Sequence, residues 1–287
     1  MLRYGGYSIE DLARHSSFLE TAYLLIYGRL PTASQLNGFE DSIAERSELD
    51  ARFDGFFTSF PRDAHPMTVL AASVSAMGAL YFSSISAAEE RDVEEATRWL
   101  LGKIPALAAR CLRLSTGQEA VEADTGIGYV KNFLRMSFGK SAASYEVDPD
   151  VVRVLDALLI LHADHEQNCS TSMVRLVGSS HADLFASVAA GINALSGPLH
   201  GGANQAVVDM LGGLHTRRTP VRDFLREVKD GHSGVRLMGF GHRVYKNYDP
   251  RASIVKTVAK DLLARLDRSD PLLDIALELE NAALADD

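Results

Sequence analysis

Apolar positions recur at helical spacing along almost the whole chain. Ser8-Ile-Glu-Asp11 is a helix start signal, and Leu12, Phe18, Leu19, Ala22, Tyr23 and Ile26 continue it until Gly28 and Pro31 stop it. Thr32-Ala-Ser-Gln35 has the form of a capping box, and Leu36, Phe39 and Ile43 follow at the spacing of one helix face. Pro66 suits the first turn of the next helix. Its body, Met67–Phe82, is the most apolar run; Thr68, Ser73 and Ser75 break it and it is too short for a bilayer, so a buried helix is predicted. Glu89–Leu101, Pro105–Leu114 and Ile127–Phe138 predict three more helices, the last closed by Gly139. Asp148-Pro149 opens Val151–Leu161, apolar nearly all round, which predicts a central helix. In Leu184–Leu195 the small residues Ala186, Ala189, Ala190, Gly191 and Ala194 allow close helix–helix approach, inside the subunit or across a dimer seam. Thr219-Pro220, Asp249-Pro250 and Asp270-Pro271 each pair an N-cap residue with a proline at the first helical position. No alternating run of strand length stands out. The predicted class is all-α.

Composition narrows the picture only slightly. The 287 residues, 46% apolar and 23% charged, suffice for one large core or two domains. A net charge of −9 argues against nucleic acid as the main partner. Cys111 and Cys169 show no metal or redox spacing, so a reduced, cytoplasmic protein is expected. Met1-Leu-Arg-Tyr-Gly-Gly lacks the apolar core of a signal peptide, and no membrane span is expected.

Three polar stretches carry candidate chemistry. In Ser196-Gly-Pro-Leu-His-Gly-Gly-Ala-Asn-Gln205, His200 stands just before a helical pattern over Asn204–Leu211, with Gly201 and Gly202 suited to positive φ. The positive end of a helix dipole favours a neutral imidazole, which can donate a hydrogen bond to a carbonyl and stabilise an enol. The bland alternative is a Gly-flanked turn with an incidental His. Leu161-His-Ala-Asp-His-Glu-Gln-Asn168 puts His162 and His165 three apart, near one helix face. Three readings stay open there: a metal site drawing on Glu166 or Cys169, a pair of imidazole donors for a substrate, or a helix end capped by His. The third stretch is Leu237-Met-Gly-Phe-Gly-His-Arg-Val-Tyr-Lys-Asn-Tyr-Asp-Pro-Arg251, a glycine loop before His242. Arg251 in the first turn of a helix opposes the dipole, which makes better sense if an anion sits at that N-terminus. Several histidines, one Arg, glycine loops and no evident Ser or Cys nucleophile fit carbon–carbon chemistry beside a carbonyl.

The strings HADHEQN, GPLHGGANQ and MGFGHRVYKNYDPRA, in this order and spacing, resemble the citrate synthase family, closest to its bacterial members; the resemblance covers essentially the whole chain. It implies a large helical domain, here 1–201, and a smaller, incomplete one, 202–287, closing over a cleft. It also implies a homodimer that condenses acetyl-CoA with oxaloacetate to give citrate and CoA, with acetyl-CoA as substrate and no cofactor or metal. By resemblance His200 hydrogen-bonds the thioester carbonyl as the enol forms, and His242 polarises the ketone of oxaloacetate. His165, Arg251 and Asn168 are similar to oxaloacetate-binding residues. Leu237, Met238, Gly239, Phe240 and Gly241 are similar to the loop that wraps the CoA adenine, with Lys246 and Asn247 close behind. The helices Met67–Phe82 and Asp183–Leu195 are expected near the subunit seam.

The chain also departs from the family pattern. The family's proton-abstracting Asp lies in a stretch reading roughly N-V-D-F, and Asp286 and Asp287 have a different context. The later arginines, one given by a partner subunit, are missing. Gly5 stands where the family usually has Arg, and Ser196 where it often has Trp. The expectation is a fragment or a truncated relative, with activity lowered about 10²–10⁴-fold or more by loss of the base. The alternatives are 2-methylcitrate synthase, using propionyl-CoA, and an inactive paralogue acting as a dimerisation or regulatory partner.

Overall fold

The computed structural model describes residues 2–82, 89–139, 146–232, 234–241, 245 and 249–285. Among these, one hairpin, β1 (Arg3–Tyr4) and β2 (Tyr7–Ser8), precedes fourteen helices. They are α1 (Ile9–His15), α2 (Phe18–Tyr27), α3 (Ala33–Ala44), α4 (Arg52–Thr58), α5 (Pro66–Tyr81), α6 (Glu90–Thr116) and α7 (Tyr129–Phe138). Then come α8 (Pro149–His162), α9 (Cys169–Gly178), α10 (Leu184–Leu195), α11 (Gly202–Arg217), α12 (Val221–Asp230), α13 (Pro250–Arg265) and α14 (Pro271–Leu284). The chain divides into two compact units, Met1–Ser196 and Gly197–Asp287. The class is all-α. No described helix is long and apolar enough to cross a membrane.

In the first unit the main core gathers Phe53 and Phe57 of α4, Val74 and Met77 of α5, Leu100, Leu107 and Cys111 of α6, and Phe185 of α10. A smaller cluster of Leu19, Tyr23, Phe39 and Ile43 seals α2 on α3. The second unit has its own core: Leu211 and Leu214 of α11, Val221 and Phe224 of α12, and Leu279 of α14. Many caps follow the predicted chemistry. The Thr32–Gln35 capping box is complete, and Asp148, Asp249 and Asp270 cap helices that begin with proline.

Several predicted boundaries are corrected. The helix expected from Leu12 through Ile26 is two, because the Ser17 side chain accepts the Glu20 N–H and opens α2 afresh. Conversely, Glu89–Leu101 and Pro105–Leu114 form one helix, α6, with Pro105 inside it. An interior proline costs about 3 kcal/mol. Burial of Leu100, Ala106, Leu107 and Cys111 on both sides of it, at about 1.5–3 kcal/mol for each large side chain, outweighs that. Pro220, not Thr219, is the N-cap of α12. The expected central helix, α8, buries only Ala157, Ile160 and Leu161 within this chain. The hairpin's strands are two residues each, too short to show an alternating pattern; Gly5 and Gly6, at φ 53° and 92°, form the two-residue turn with both residues left-handed that suits the twist of a tight hairpin.

Candidate functional site

In the first unit the relevant segment joins α8 to α9. His162 closes α8, exposed, with its Nδ1 2.6 Å from the Leu158 carbonyl. His165 is half-buried and lies beyond the helix end. The two imidazoles therefore do not share a helix face, and the premise for an i, i+3 pair is corrected. Glu166 takes a left-handed backbone, φ 54°, unusual for a residue with a Cβ. Asn168 is the N-cap of α9: its side-chain oxygen accepts the Thr171 N–H at 2.9 Å and the Ser170 hydroxyl at 2.7 Å. On the near side, the hydroxyl of Tyr4 donates to the Asp164 carbonyl at 2.8 Å and accepts the Asp164 N–H at 3.3 Å. Sequence reasoning missed Tyr4; the Gly5-Gly6 hairpin turn beside it was the available signal. Among the described residues no group of three His, Cys, Asp or Glu side chains is placed to hold a metal ion.

In the second unit a single helix organises the rest. α11 begins at Gly202, two residues earlier than the pattern predicted, so half-buried His200 sits immediately before its Gly201 N-cap. The Gly197 carbonyl accepts the N–H groups of His200 and Gly202 at 3.0 and 3.1 Å and shapes the turn. Gly201 is right-handed, φ −63°, and Gly202 is helical, so neither uses the positive φ expected of them. Glycine here serves instead by leaving the first turn of α11 without a side-chain cap.

The loop Leu237–Gly241 packs along the same helix. Leu237 joins the core against α11, the Met238 N–H reaches Met210 Sδ at 3.4 Å, and a Cβ on Gly239 would meet Val207 at 3.3 Å. Gly239 and Gly241 are left-handed, φ 89° and 77°, which explains the G-x-G spacing, and Phe240 between them is exposed. His242, Lys246 and Asn247 lie outside the described residues. Arg251 occupies the second position of α13. Its guanidinium clasps the carboxylate of the N-cap Asp249, Nη2–Oδ2 2.7 Å and Nε–Oδ1 3.1 Å. The anion that the dipole argument called for is thus present within the chain.

Ionisations displaced most strongly lie in or beside the core of the first unit. Burial pushes Lys103 down to about 8 and Cys111 up to about 12. A cavity lined by Tyr23, Tyr27, Phe39, Glu94 and Arg98 contains none of the motif residues.

Two helical units, imidazoles at two helix-terminal turns and a glycine loop docked on the helix behind one of them define an all-α protein of the kind the three motifs resemble. Residues 1–287 match the family described as "Citrate synthase, C-terminal domain", and the chain belongs to that family. It is 54% identical over 287 residues to citrate synthase 1 of Mycobacterium tuberculosis, matching all of this chain and 67% of that protein. Its fold is similar to the crystal structure of citrate synthase from Pyrobaculum aerophilum, TM-score 0.84 and 38% identity over 98% of this chain and 70% of that one. It is also similar to citrate synthase from Thermoplasma acidophilum, solved in a ternary complex with carboxymethyl coenzyme A and oxaloacetate, TM-score 0.87 and 28% identity over 99% of this chain and 72% of that one. The chain spans about two thirds of the length of the curated relatives it matches.

Proposed function

We propose that this chain carries the substrate-binding and enolising parts of a citrate synthase site, which condenses acetyl-CoA with oxaloacetate to give citrate and CoA. The observation that carries the reading is the sharing of α11. His200 stands at its N-terminus and the Leu237–Gly241 loop lies against Val207 and Met210 on its side, so one rigid element sets the thioester end and the nucleotide end of the same ligand. His200 donates a hydrogen bond to the thioester carbonyl as the enol forms, and the positive end of α11 favours the charge that builds on that oxygen. His242 polarises the ketone of oxaloacetate, while His165, Asn168 and Arg251 hold its carboxylates. Leu237, Met238, Gly239, Phe240 and Gly241 receive the adenine of CoA, and Lys246 and Asn247 also bind CoA.

In this reading the protein works in the cytoplasm, needs no metal or prosthetic group, and acts as a homodimer. The test is calorimetry of oxaloacetate binding to the chain and two variants. Arg251→Ala removes a charge-assisted fork worth about 1.5–3 kcal/mol, so binding falls at least tenfold. His200→Ala leaves oxaloacetate binding unchanged, because its partner is the thioester. Equal losses in both variants would overturn this division of roles.

A further inference from the structure

We propose that Tyr4, a residue of the N-terminal hairpin, positions His165; this rests on the reading of His165 as an oxaloacetate ligand. Tyr4 is 1% exposed, and its hydroxyl bridges 160 residues of sequence to hold both backbone polar groups of Asp164. The same oxygen lies 3.4 Å from the Leu161 carbonyl at the end of α8. His165 is the next residue after Asp164. Three residues beyond it, the Asn168 cap fixes the start of α9. Between these two anchors Glu166 is left-handed, a conformation that persists for a side-chain-bearing residue only when its surroundings impose it. The hairpin therefore acts as one jaw of a clamp and the α9 cap as the other, and His165 is the residue between them whose backbone neither jaw lets drift.

Removing the hydroxyl frees one jaw while leaving the buried ring in place. Asp164 then loses partners for its N–H and its C=O, and Glu166 can return to an ordinary conformation, swinging His165. Displacement of a binding group by about 1 Å costs up to a hundredfold in a site of this kind. A tyrosine that only filled the core would show none of this.

The variant is Tyr4→Phe, measured in two ways. Amide hydrogen exchange over Asp164–Gln167 should accelerate at least tenfold, while the α8 interior exchanges as in the parent. Oxaloacetate binding by calorimetry should weaken about tenfold, with CoA binding unchanged within twofold. Tyr4→Phe should add no further loss in a His165→Ala background, since the two residues act as one unit. Unchanged exchange over Asp164–Gln167 overturns the clamp whatever the ligand result. Additive losses of oxaloacetate binding show that Tyr4 does not act through His165. If the parent itself binds no oxaloacetate, the functional reading fails instead, and the exchange data still decide whether Tyr4 holds the segment.

Discussion

Gly191→Ala is a change that local rules score as favourable and the packing opposes. Gly191 lies inside α10 with an ordinary backbone, so alanine there should stabilise the helix by about 0.8–1 kcal/mol. A Cβ at this position, however, would stand 2.6 Å from Val174 Cγ2 and 3.4 Å from the Ser170 carbonyl, both on α9. The methyl must give way by about 1 Å to reach ordinary van der Waals distance. Val174 cannot do so by turning, because a β-branched side chain in a helix has essentially one rotamer. α9 must shift as a body, and overpacking of that kind costs about 1–3 kcal/mol. The two effects together leave Gly191→Ala between neutral and about 2 kcal/mol less stable than the parent, read from the urea midpoint at unchanged slope. Val174→Ala removes the obstructing methyl, so the double variant should be no less stable than Val174→Ala alone. A Gly191→Ala protein stabilised by the full helix-propensity gain of about 1 kcal/mol would refute the reasoning, as would simple additivity in the double variant.

Two further outcomes follow from buried ionisable groups. The Lys103 ammonium donates to the Glu48 carbonyl and lies 4.7 Å and 5.1 Å from the Trp99 and Tyr81 ring centroids, yet burial wins and lowers it to about 8 from 10.5. Between those values the unfolded chain holds a proton the folded chain has released, so this group favours folding more as pH rises from about 8 to 10.5. Denaturant midpoints of the parent relative to Lys103→Met should therefore climb across that window, and a flat difference would contradict the assignment. Cys111, with its thiol pushed up to about 12 by burial, should resist alkylation at pH 8 until the protein unfolds; peptide mapping that finds it labelled in the native state would contradict this.

Helix type and number were largely legible because apolar spacing and caps are local. Thr32 with Gln35, and the three Asp-Pro pairs, state their helix starts within four residues of chain. The candidate site was legible as three motifs, and the role of each came from resemblance, since spacing alone left a metal site, a donor pair and a capped end open at His162 and His165.

Tertiary contacts settle the outcome where local signals compete with distant neighbours. Pro105 reads as a break, and the core on both sides of it keeps α6 whole. Gly191 reads as a small residue for some close neighbour, and the neighbour is α9, which starts at the cap of the His165 segment. Tyr4 reads as one aromatic in a short hairpin, and its hydroxyl ends on Asp164. Local signals place most of the helices and the residue types suited to carbonyl chemistry, because both depend on neighbours within one or two turns. Which side chains brace His165 depends on pairs up to 160 residues apart, and burial in a shared core is what brings such pairs together.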